Sequence, residues 1–169
     1  PNGYILLAGS PRKLWEVSLE QNLAIAGAYE AAGDAAGAEA VRGIVAAEQE
    51  KANAMDSLAD DDTVFGLPVP YQRHLQGIDA AALHLLDQKP VLVLQGERDK
   101  QVSMDDFQLW KDKLKDHPAV EFISYPALNH LFGDYRGEPV TLMNIAAEYA
   151  ARTPVDEQVI LDTAGFVLR

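Results

Sequence analysis

The clearest pattern of hydrophobic positions lies in the second half of the chain, where it predicts two strands and a helix between them. Apolar residues are continuous over Val91–Leu94, and a run this short predicts a strand buried on both faces, as in a parallel sheet. Val120–Tyr125 predicts the next strand. Between them, Ser103 and Asp106 have the spacing of a capping box, which predicts a helix start. The apolar face of this helix consists of Phe107, Trp110 and Leu114. This unit is the right-handed crossover of an α/β sheet.

The first part of the chain predicts one strand followed by a pair of helices. Tyr4–Ala8 is a short apolar strand, and the helices are expected over 13–32 and 35–60, separated by Gly33. Their apolar positions at helical spacing are Trp15, Leu19, Leu23, Ala26, Ala38, Val41, Val45, Ala52, Met55 and Ala59. We therefore expect an αα-hairpin inserted between strands.

The linking segment predicts extended chain and two short helices. Gly66–Tyr71 contains two prolines and predicts an extended stretch. Tyr71–Gln76 predicts one or two helical turns. Asp79 is expected to cap the next helix, with Leu83 and Leu86 facing inward.

Two further helices are predicted at the end of the chain. The first covers 141–151, and the second begins at Thr153 with Pro154 in its first turn. The apolar face of the last helix is expected to contain Val159, Ile160, Thr163, Phe166 and Val167.

Length and composition favour a single α/β domain covering residues 1–169. The chain is 48% hydrophobic, carries a net charge of −12 and has no cysteine. Such acidity disfavours binding to nucleic acid and to anionic membranes. No apolar run reaches the roughly 18 residues of a spanning helix, and no basic segment precedes Ile5–Leu7 as in a signal peptide. We expect a cytoplasmic protein with strand 4–8, a helical insertion at 13–60 and an α/β core at 78–169.

Asp99 and His130 are the candidate catalytic residues, because each follows the carboxyl end of a predicted strand. Ligands bind at this edge of open α/β sheets. The surrounding segments Q-G-E-R-D-K-Q-V and Y-P-A-L-N-H-L-F resemble the last third of an α/β-hydrolase. More narrowly, they resemble bacterial esterases related to the acyl-peptidase and dienelactone-hydrolase branches. The resemblance implies that Asp99 is the acid and His130 the base of a Ser–Asp–His triad. The alternative is that Asp99 is a turn residue and His130 a loop histidine.

The serine that this resemblance requires is missing from the sequence. In the family it lies in G-x-S-x-G, upstream of the acid. The serines of the chain are Ser10, Ser18, Ser57, Ser103 and Ser124, and none has glycine two positions before and two after it. We expect the nucleophile and half of the oxyanion hole to lie before Pro1, so that the chain corresponds to the second half of the family's fold.

Four residues are candidates for substrate binding. The resemblance places the loop after the first strand at the active site, which implicates Ser10 and Arg12, although a plain turn explains them equally well. It also implicates Tyr71 and His74, because the corresponding region of the family contributes side chains to the substrate site.

We predict no metal and no cofactor. Asp60–Asp62 are three adjacent carboxylates, which point in different directions and are more typical of a solvated helix end than of a metal site. His74, His84, His117 and His130 do not share the spacing of metal ligands.

Three functional hypotheses follow. In the first, the chain is a non-catalytic module that retains the acid and base and binds a small apolar ligand or a partner. In the second, it is a fragment or subunit of an ester, thioester or peptide hydrolase whose serine is supplied by another segment. In the third, Ser10 is an improvised nucleophile. We also expect a homodimer or larger assembly through the unpaired edge of strand 4–8 or through the inserted helices.

Overall fold

The computed structural model describes residues 2–169. Within them the chain divides into two compact units. The α/β unit contains the residues up to Pro11, Asp79–Val140 and Asn144–Arg169, and the helical unit contains Arg12–Ile78 and Thr141–Met143. Folding of the whole chain as a single domain stays a prediction.

The described residues form five strands and seven α-helices. In chain order these elements are β1 (Tyr4–Leu7), α1 (Leu14–Ala31), α2 (Ala35–Asn53), β2 (Thr63–Val64), β3 (Leu67–Pro68), α3 (Val69–Gln76), α4 (Ala80–Asp87), β4 (Val91–Gly96), α5 (Met104–Lys113), β5 (Val120–Tyr125), α6 (Ile145–Ala150) and α7 (Glu157–Val167). Within residues 2–169, none of these helices combines the length and the apolar character that crossing a membrane requires.

The α/β unit is built on a parallel three-stranded sheet in the order β1-β4-β5, as the sequence predicted. All six residues of the central strand β4 are buried. Alternate residues of β4 contribute to different apolar clusters: Val91 and Val93 pack with residues of α4 and α5, whereas Leu92 and Leu94 pack with Val159 of α7. Helices therefore flank the sheet, and the predicted α/β class is confirmed.

Only half of the capping box predicted for α5 is formed. Asp106 accepts a 3.3 Å hydrogen bond from the backbone N–H of Ser103, whereas the Ser103 hydroxyl is buried and has no hydrogen-bond partner. Phe107, Trp110 and Leu114 are all buried against the sheet. This helix carries the chain from β4 to β5, so both strands end at the same edge.

The inward face of α4 differs from the prediction. Leu83 and Leu86 are 55% and 82% exposed, whereas Ala81 and His84 are buried. Apolar residues lie on every side of this two-turn helix, so hydrophobicity alone does not select its buried face. His84 packs edge-on against the ring of Tyr4, at 4.7 Å between ring centroids.

The last helix, α7, begins later than predicted. Its N-cap is Asp156, which accepts a hydrogen bond from the backbone N–H of Gln158 at 2.8 Å, so Pro154 lies before the helix and not in its first turn. Its expected apolar face is only partly buried. Val159 is buried, but Ile160 and Val167 are exposed.

In the helical unit, α1 and α2 pack on each other and confirm the predicted helical hairpin. Ala26 and Ala38 are each only 1% exposed, because alanine lets two helices approach closely. The prediction for Leu23 was wrong, since it is 44% exposed and Val17 is buried on α1.

The end of the helical hairpin and the segment after it also differ from the prediction. Helix α2 ends at Asn53 and is followed by a short 3-10 turn at Met55–Ser57. The antiparallel pair β2–β3 was not predicted. Its turn contains two residues with positive φ, Phe65 and Gly66. Helix α3 then begins at Val69, within the stretch expected to be extended.

Candidate active site

Asp99 lies in the turn that follows β4. The turn is closed by a hydrogen bond of 3.2 Å from the backbone N–H of Asp99 to the carbonyl of Gly96. The Asp99 side chain is completely buried. Its Oδ1 accepts hydrogen bonds from the backbone N–H groups of Gln101, at 2.7 Å, and Val102, at 3.0 Å. These donors fix the position of the carboxylate on the protein side.

His130 lies in the loop that follows β5, and Asn129 holds the shape of this loop. The Asn129 side chain is buried, and its Oδ1 accepts hydrogen bonds from the backbone N–H groups of Leu131 and Gly133, each at 3.0 Å. A further backbone hydrogen bond of 3.0 Å runs from Arg98 to the carbonyl of Leu128. It joins this loop directly to the turn that holds Asp99.

The two loops approach so closely that position 96 has no room for a side chain. A Cβ on Gly96 would lie 2.6 Å from the carbonyl oxygen of Asn129 and nearer still to that of Leu128. Real Cβ atoms do not come this close to backbone atoms. Glycine at the end of β4 therefore allows the His130 loop to lie over the strand end.

The structure brings Asp99 and His130 into direct contact. Nδ1 of His130 lies 2.8 Å from Oδ2 of Asp99, which confirms that the two lie within hydrogen-bonding reach despite being 31 residues apart. The His130 side chain is 28% exposed, and its Nε2 has no hydrogen-bond partner among residues 2–169.

This geometry suits a histidine that acts as a general base. A carboxylate accepts only, so it favours the tautomer of His130 that carries a hydrogen on Nδ1. Nε2 then carries the lone pair and is available to take a proton from a reacting group. Asp99 would stabilise the imidazolium that forms. We call Asp99 and His130 the dyad.

Gln95 is a residue of the site that the sequence analysis missed. It is 1% exposed, and its Nε2 lies 3.0 Å from both Asp99 Oδ2 and the carbonyl oxygen of Val102. An amide at the end of an otherwise apolar buried strand was the available signal, because a buried amide needs buried partners. Gln95 positions the oxygen of Asp99 that meets His130.

Tyr149 of α6 is a second residue that the sequence did not indicate. Its hydroxyl contacts the side-chain amide of Gln101. Burial raises the pKa of Tyr149, and the negative charges of Asp99 and Glu148 raise it further. The raised pKa keeps the phenol protonated to a higher pH than that of an exposed tyrosine.

Ser10 and Arg12 are not brought to the dyad by any contact within their own units. The Ser10 hydroxyl donates a 2.6 Å hydrogen bond to Oδ1 of Asp106, which caps α5. No hydrogen bond joins Ser10 to His130 among the described residues. Arg12 belongs to the helical unit and forms an ion pair with Glu20.

Tyr71 and His74 lie on α3 of the helical unit, and both are exposed. Their roles in substrate binding stay predictions. A cavity of about 510 Å³ lies in the same unit and is lined by Trp15, Met55 and Arg73 among others. Binding of a small apolar ligand, for which the sequence analysis named no site, also stays a prediction.

The three aspartates Asp60–Asp62 have separate surroundings. Asp60 forms a 2.7 Å ion pair with Arg73, and Asp62 accepts a hydrogen bond from the backbone N–H of Ala59 at 3.0 Å. Over residues 2–169, no three side chains of the types that ligate metals are grouped so that they could hold an ion.

Comparison with known proteins gives one informative similarity. No model of a known protein family matches the chain, and no solved structure matches it. The chain is 30% identical over 111 residues to the esterase EstD of Thermotoga maritima. The alignment covers 64% of this chain and 25% of that esterase, so the chain spans about a quarter of the length of the curated relative it matches. A partial similarity to an esterase is consistent with a hydrolase-like fold.

Proposed function

We propose that the chain contributes the acid and the base of a serine-hydrolase site of the α/β-hydrolase type, and that its substrates are esters, thioesters or small peptides. Asp99 is the acid and His130 the base. The serine comes from a segment outside these 169 residues, in the same polypeptide or in another one.

The contact between Nδ1 of His130 and Oδ2 of Asp99, at 2.8 Å, is the observation that carries this proposal. A turn aspartate with only a structural role would not need a buried side chain that faces a histidine. The partial similarity to an esterase supports the same assignment.

In the proposed reaction, Nε2 of His130 removes the proton from the serine hydroxyl as the oxygen attacks the substrate carbonyl. The imidazolium that results is stabilised by Asp99 and later returns the proton to the leaving group. Such positioned proton transfer contributes typically about 10²–10⁴-fold to the rate.

The proposal is tested on the product of the complete reading frame, or of the frame together with its upstream neighbour. A fluorophosphonate probe should label a serine in a G-x-S-x-G sequence, and labelling should fall by at least about 10²-fold in His130→Ala. A control is Glu157→Gln, which changes an exposed residue of α7. If no G-x-S-x-G sequence is encoded and no serine is labelled, the proposal is wrong.

The chain by itself should not be an efficient esterase. We expect it to hydrolyse p-nitrophenyl acetate no faster than free imidazole does, because His130 without a serine acts only as a weak base. Turnover that is lost in Ser10→Ala would instead favour Ser10 as the nucleophile. Turnover that survives this change but is lost in His130→Ala would contradict the need for a separate serine.

The second candidate function is a non-catalytic binding module. The absence of a G-x-S-x-G sequence from the 169 residues favours it. It predicts that the dyad can be removed by Asp99→Asn and His130→Ala without loss of binding to the physiological ligand or partner. The hydrolase proposal predicts loss of turnover in the same variants.

We also propose that β1 forms an interface between two copies of the chain. The backbone N–H of Tyr4 donates to the carbonyl of Pro90, just before β4, and that of Ala8 donates to the carbonyl of Leu94 in β4. By strand alternation, the N–H groups of Ile5 and Leu7 therefore point away from β4. Leu7→Pro removes one of these outward donors and should convert a strand-paired dimer to a monomer of 18.4 kDa in light scattering. A wild-type chain that is already monomeric would refute the interface.

A further inference from the structure

A cavity of about 240 Å³ lies in the α/β unit beside both loops that hold the dyad. Arg98 and Lys100 line it from the first loop, on either side of Asp99 in the sequence. Asn129 lines it from the second loop, next to His130. The cavity is therefore placed where a bound molecule would contact both loops at once.

Glu148 is the carboxylate of this cavity that lacks a protein partner. It lines the cavity and is only 6% exposed. Within residues 2–169, its carboxylate forms no hydrogen bond and no ion pair. Its carboxylate oxygens are not among the fully buried polar atoms that lack a partner, so they face the open space of the cavity, where they can accept hydrogen bonds from water or from a ligand.

An unpaired cation lines the same cavity. Lys100 is exposed and forms no ion pair with any described residue. Arg98 differs, because it donates a 3.3 Å hydrogen bond to the carbonyl of Tyr135 and lies 3.8 Å from Asp134. The cavity thus combines one unpaired carboxylate with one unpaired ammonium group.

We propose that this cavity binds a small zwitterion, a free α-amino acid or a molecule with the same ammonium and carboxylate groups. Glu148 accepts hydrogen bonds from the ammonium group of the ligand, and Lys100 donates to its carboxylate. The volume is about eight times the ~30 Å³ that one water occupies. It leaves room for a small apolar side chain against Pro139 and Val140, which also line the cavity. The site does not depend on the function proposed for the dyad.

Calorimetric titration with three leucine compounds tests the charge requirement. L-leucine carries both charges, L-leucinamide only the positive one and N-acetyl-L-leucine only the negative one. We expect L-leucine to bind at least about tenfold more tightly than either derivative, because each derivative lacks one of the two charged contacts. In an NMR titration, the amide signals of residues 97–100 and 127–130 should shift together with the His130 imidazole.

Two variants test the role of Glu148. Glu148→Gln keeps the shape but removes the charge, and it should weaken L-leucine binding at least about tenfold. Glu157→Gln, which changes an exposed glutamate of α7, should bind as the wild type does. Without ligand, Glu148→Gln should melt at the same temperature as the wild type or higher, because no protein contact is lost.

Three results would overturn the site: neither L-leucine nor L-alanine binds at millimolar concentration, the singly charged derivatives bind as well as L-leucine, or Glu148→Gln binds as the wild type does. A melting temperature of Glu148→Gln clearly below that of the wild type would also overturn it. That result would mean that Glu148 has a structural role in the empty protein.

Discussion

Asp99 and Glu148 are both buried carboxylates of the α/β unit, but the protein surrounds them in opposite ways. The partners of the Asp99 carboxylate are Gln95, Gln101, Val102 and His130. Glu148, at 6% exposure, has no partner among the described residues. The Asp99 carboxylate is satisfied by the fold, whereas the Glu148 carboxylate faces the cavity with its hydrogen-bonding capacity unused.

These different surroundings suit the two carboxylates to different roles. A carboxylate with several fixed donors cannot move, so it can hold a second side chain in one orientation. That is the requirement for His130. A carboxylate that keeps its hydrogen-bonding capacity unused is suited to a ligand that enters and leaves. The same residue chemistry thus serves positioning in one place and recognition in the other.

The largest effect should come from removing the charge at each carboxylate in turn. In Asp99→Asn, one oxygen becomes an NH2 group that cannot accept, so buried donors lose their partner. We expect the free energy of unfolding to fall by about 3 kcal/mol. Glu148→Gln loses no protein donor and should leave that free energy unchanged or raised. Urea denaturation followed by circular dichroism measures both free energies of unfolding. Equal losses in the two variants would contradict the difference between the two carboxylates.

A second test adds a side chain at the point where the two loops that hold the dyad approach each other. Gly96→Ala places a Cβ 2.6 Å from the carbonyl of Asn129, and we expect it to destabilise the protein by about 2 kcal/mol and to shift the NMR signals of His130. Gly165→Ala is the matched control, because a Cβ there meets nothing within 4 Å. It lies within α7 and should stabilise by up to about 1 kcal/mol. Similar effects of the two changes would mean that the close approach is unimportant.

A third carboxylate, that of Asp162, accepts a 2.8 Å hydrogen bond through its Oδ2 from the hydroxyl of Tyr125. We expect the effect of removing this hydrogen bond to be smaller than the effects above. Tyr125→Phe should cost about 1 kcal/mol at neutral pH. Burial, and then the neighbouring Asp162, raise the pKa of Tyr125 above that of a free tyrosine. This contribution is therefore fully present below pH ~10 and is lost as the pH rises through the raised pKa. Unfolding curves at increasing alkaline pH should converge for wild type and variant. A constant difference would contradict the assigned bond.

The smallest effect should appear at His84, a buried side chain that becomes positively charged when it ionises, whereas the aspartates and the tyrosine become negatively charged. Burial lowers its pKa and nearby His117 lowers it further, while Asp87 partly offsets the shift. Because the pKa of His84 is lower in the folded protein than in the unfolded chain, the contribution of neutral His84 to stability is fully present above the ordinary histidine pKa of about 6.5. This contribution is lost as the pH falls from that value through the lowered pKa of the folded state. In His84→Phe, the loss of stability between pH 7 and pH 5 should be shallower than in the wild type. An identical acid slope in thermal melts would assign the slope to other groups.

The sequence predicted the dyad because its signals are local. Asp99 and His130 each follow a strongly apolar strand, and the capped helix between the strands brings the strand ends together. Gly96 stands at the same strand end, but its role depends on the distant loop at Leu128 and Asn129. Gln95 bonds to Asp99 and Val102, which come within its reach only through the turn after β4. A close backbone approach and a buried amide partner are visible only once the chain has folded.

Burial was harder to predict where a helix is short. Leu83 and Leu86 of α4 are exposed, although Leu85, which has the same side chain, packs against the core. Glu148 is buried, although the alanines near it in the sequence (Ala146, Ala147, Ala150 and Ala151) are exposed. In each case the packing of neighbouring elements, and not the residue's own polarity, decides which side is covered.

The protonation state of the His130 ring shows directly whether Asp99 orients His130 as a base. With selectively ¹⁵N-labelled histidine, NMR assigns which ring nitrogen carries the hydrogen in the neutral imidazole. The account predicts hydrogen on Nδ1, with a downfield proton signal that disappears in Asp99→Asn, and a bare Nε2. Hydrogen on Nε2 with Nδ1 as an acceptor, unchanged in Asp99→Asn, would contradict it, because His130 would then have no outward lone pair with which to act as a base.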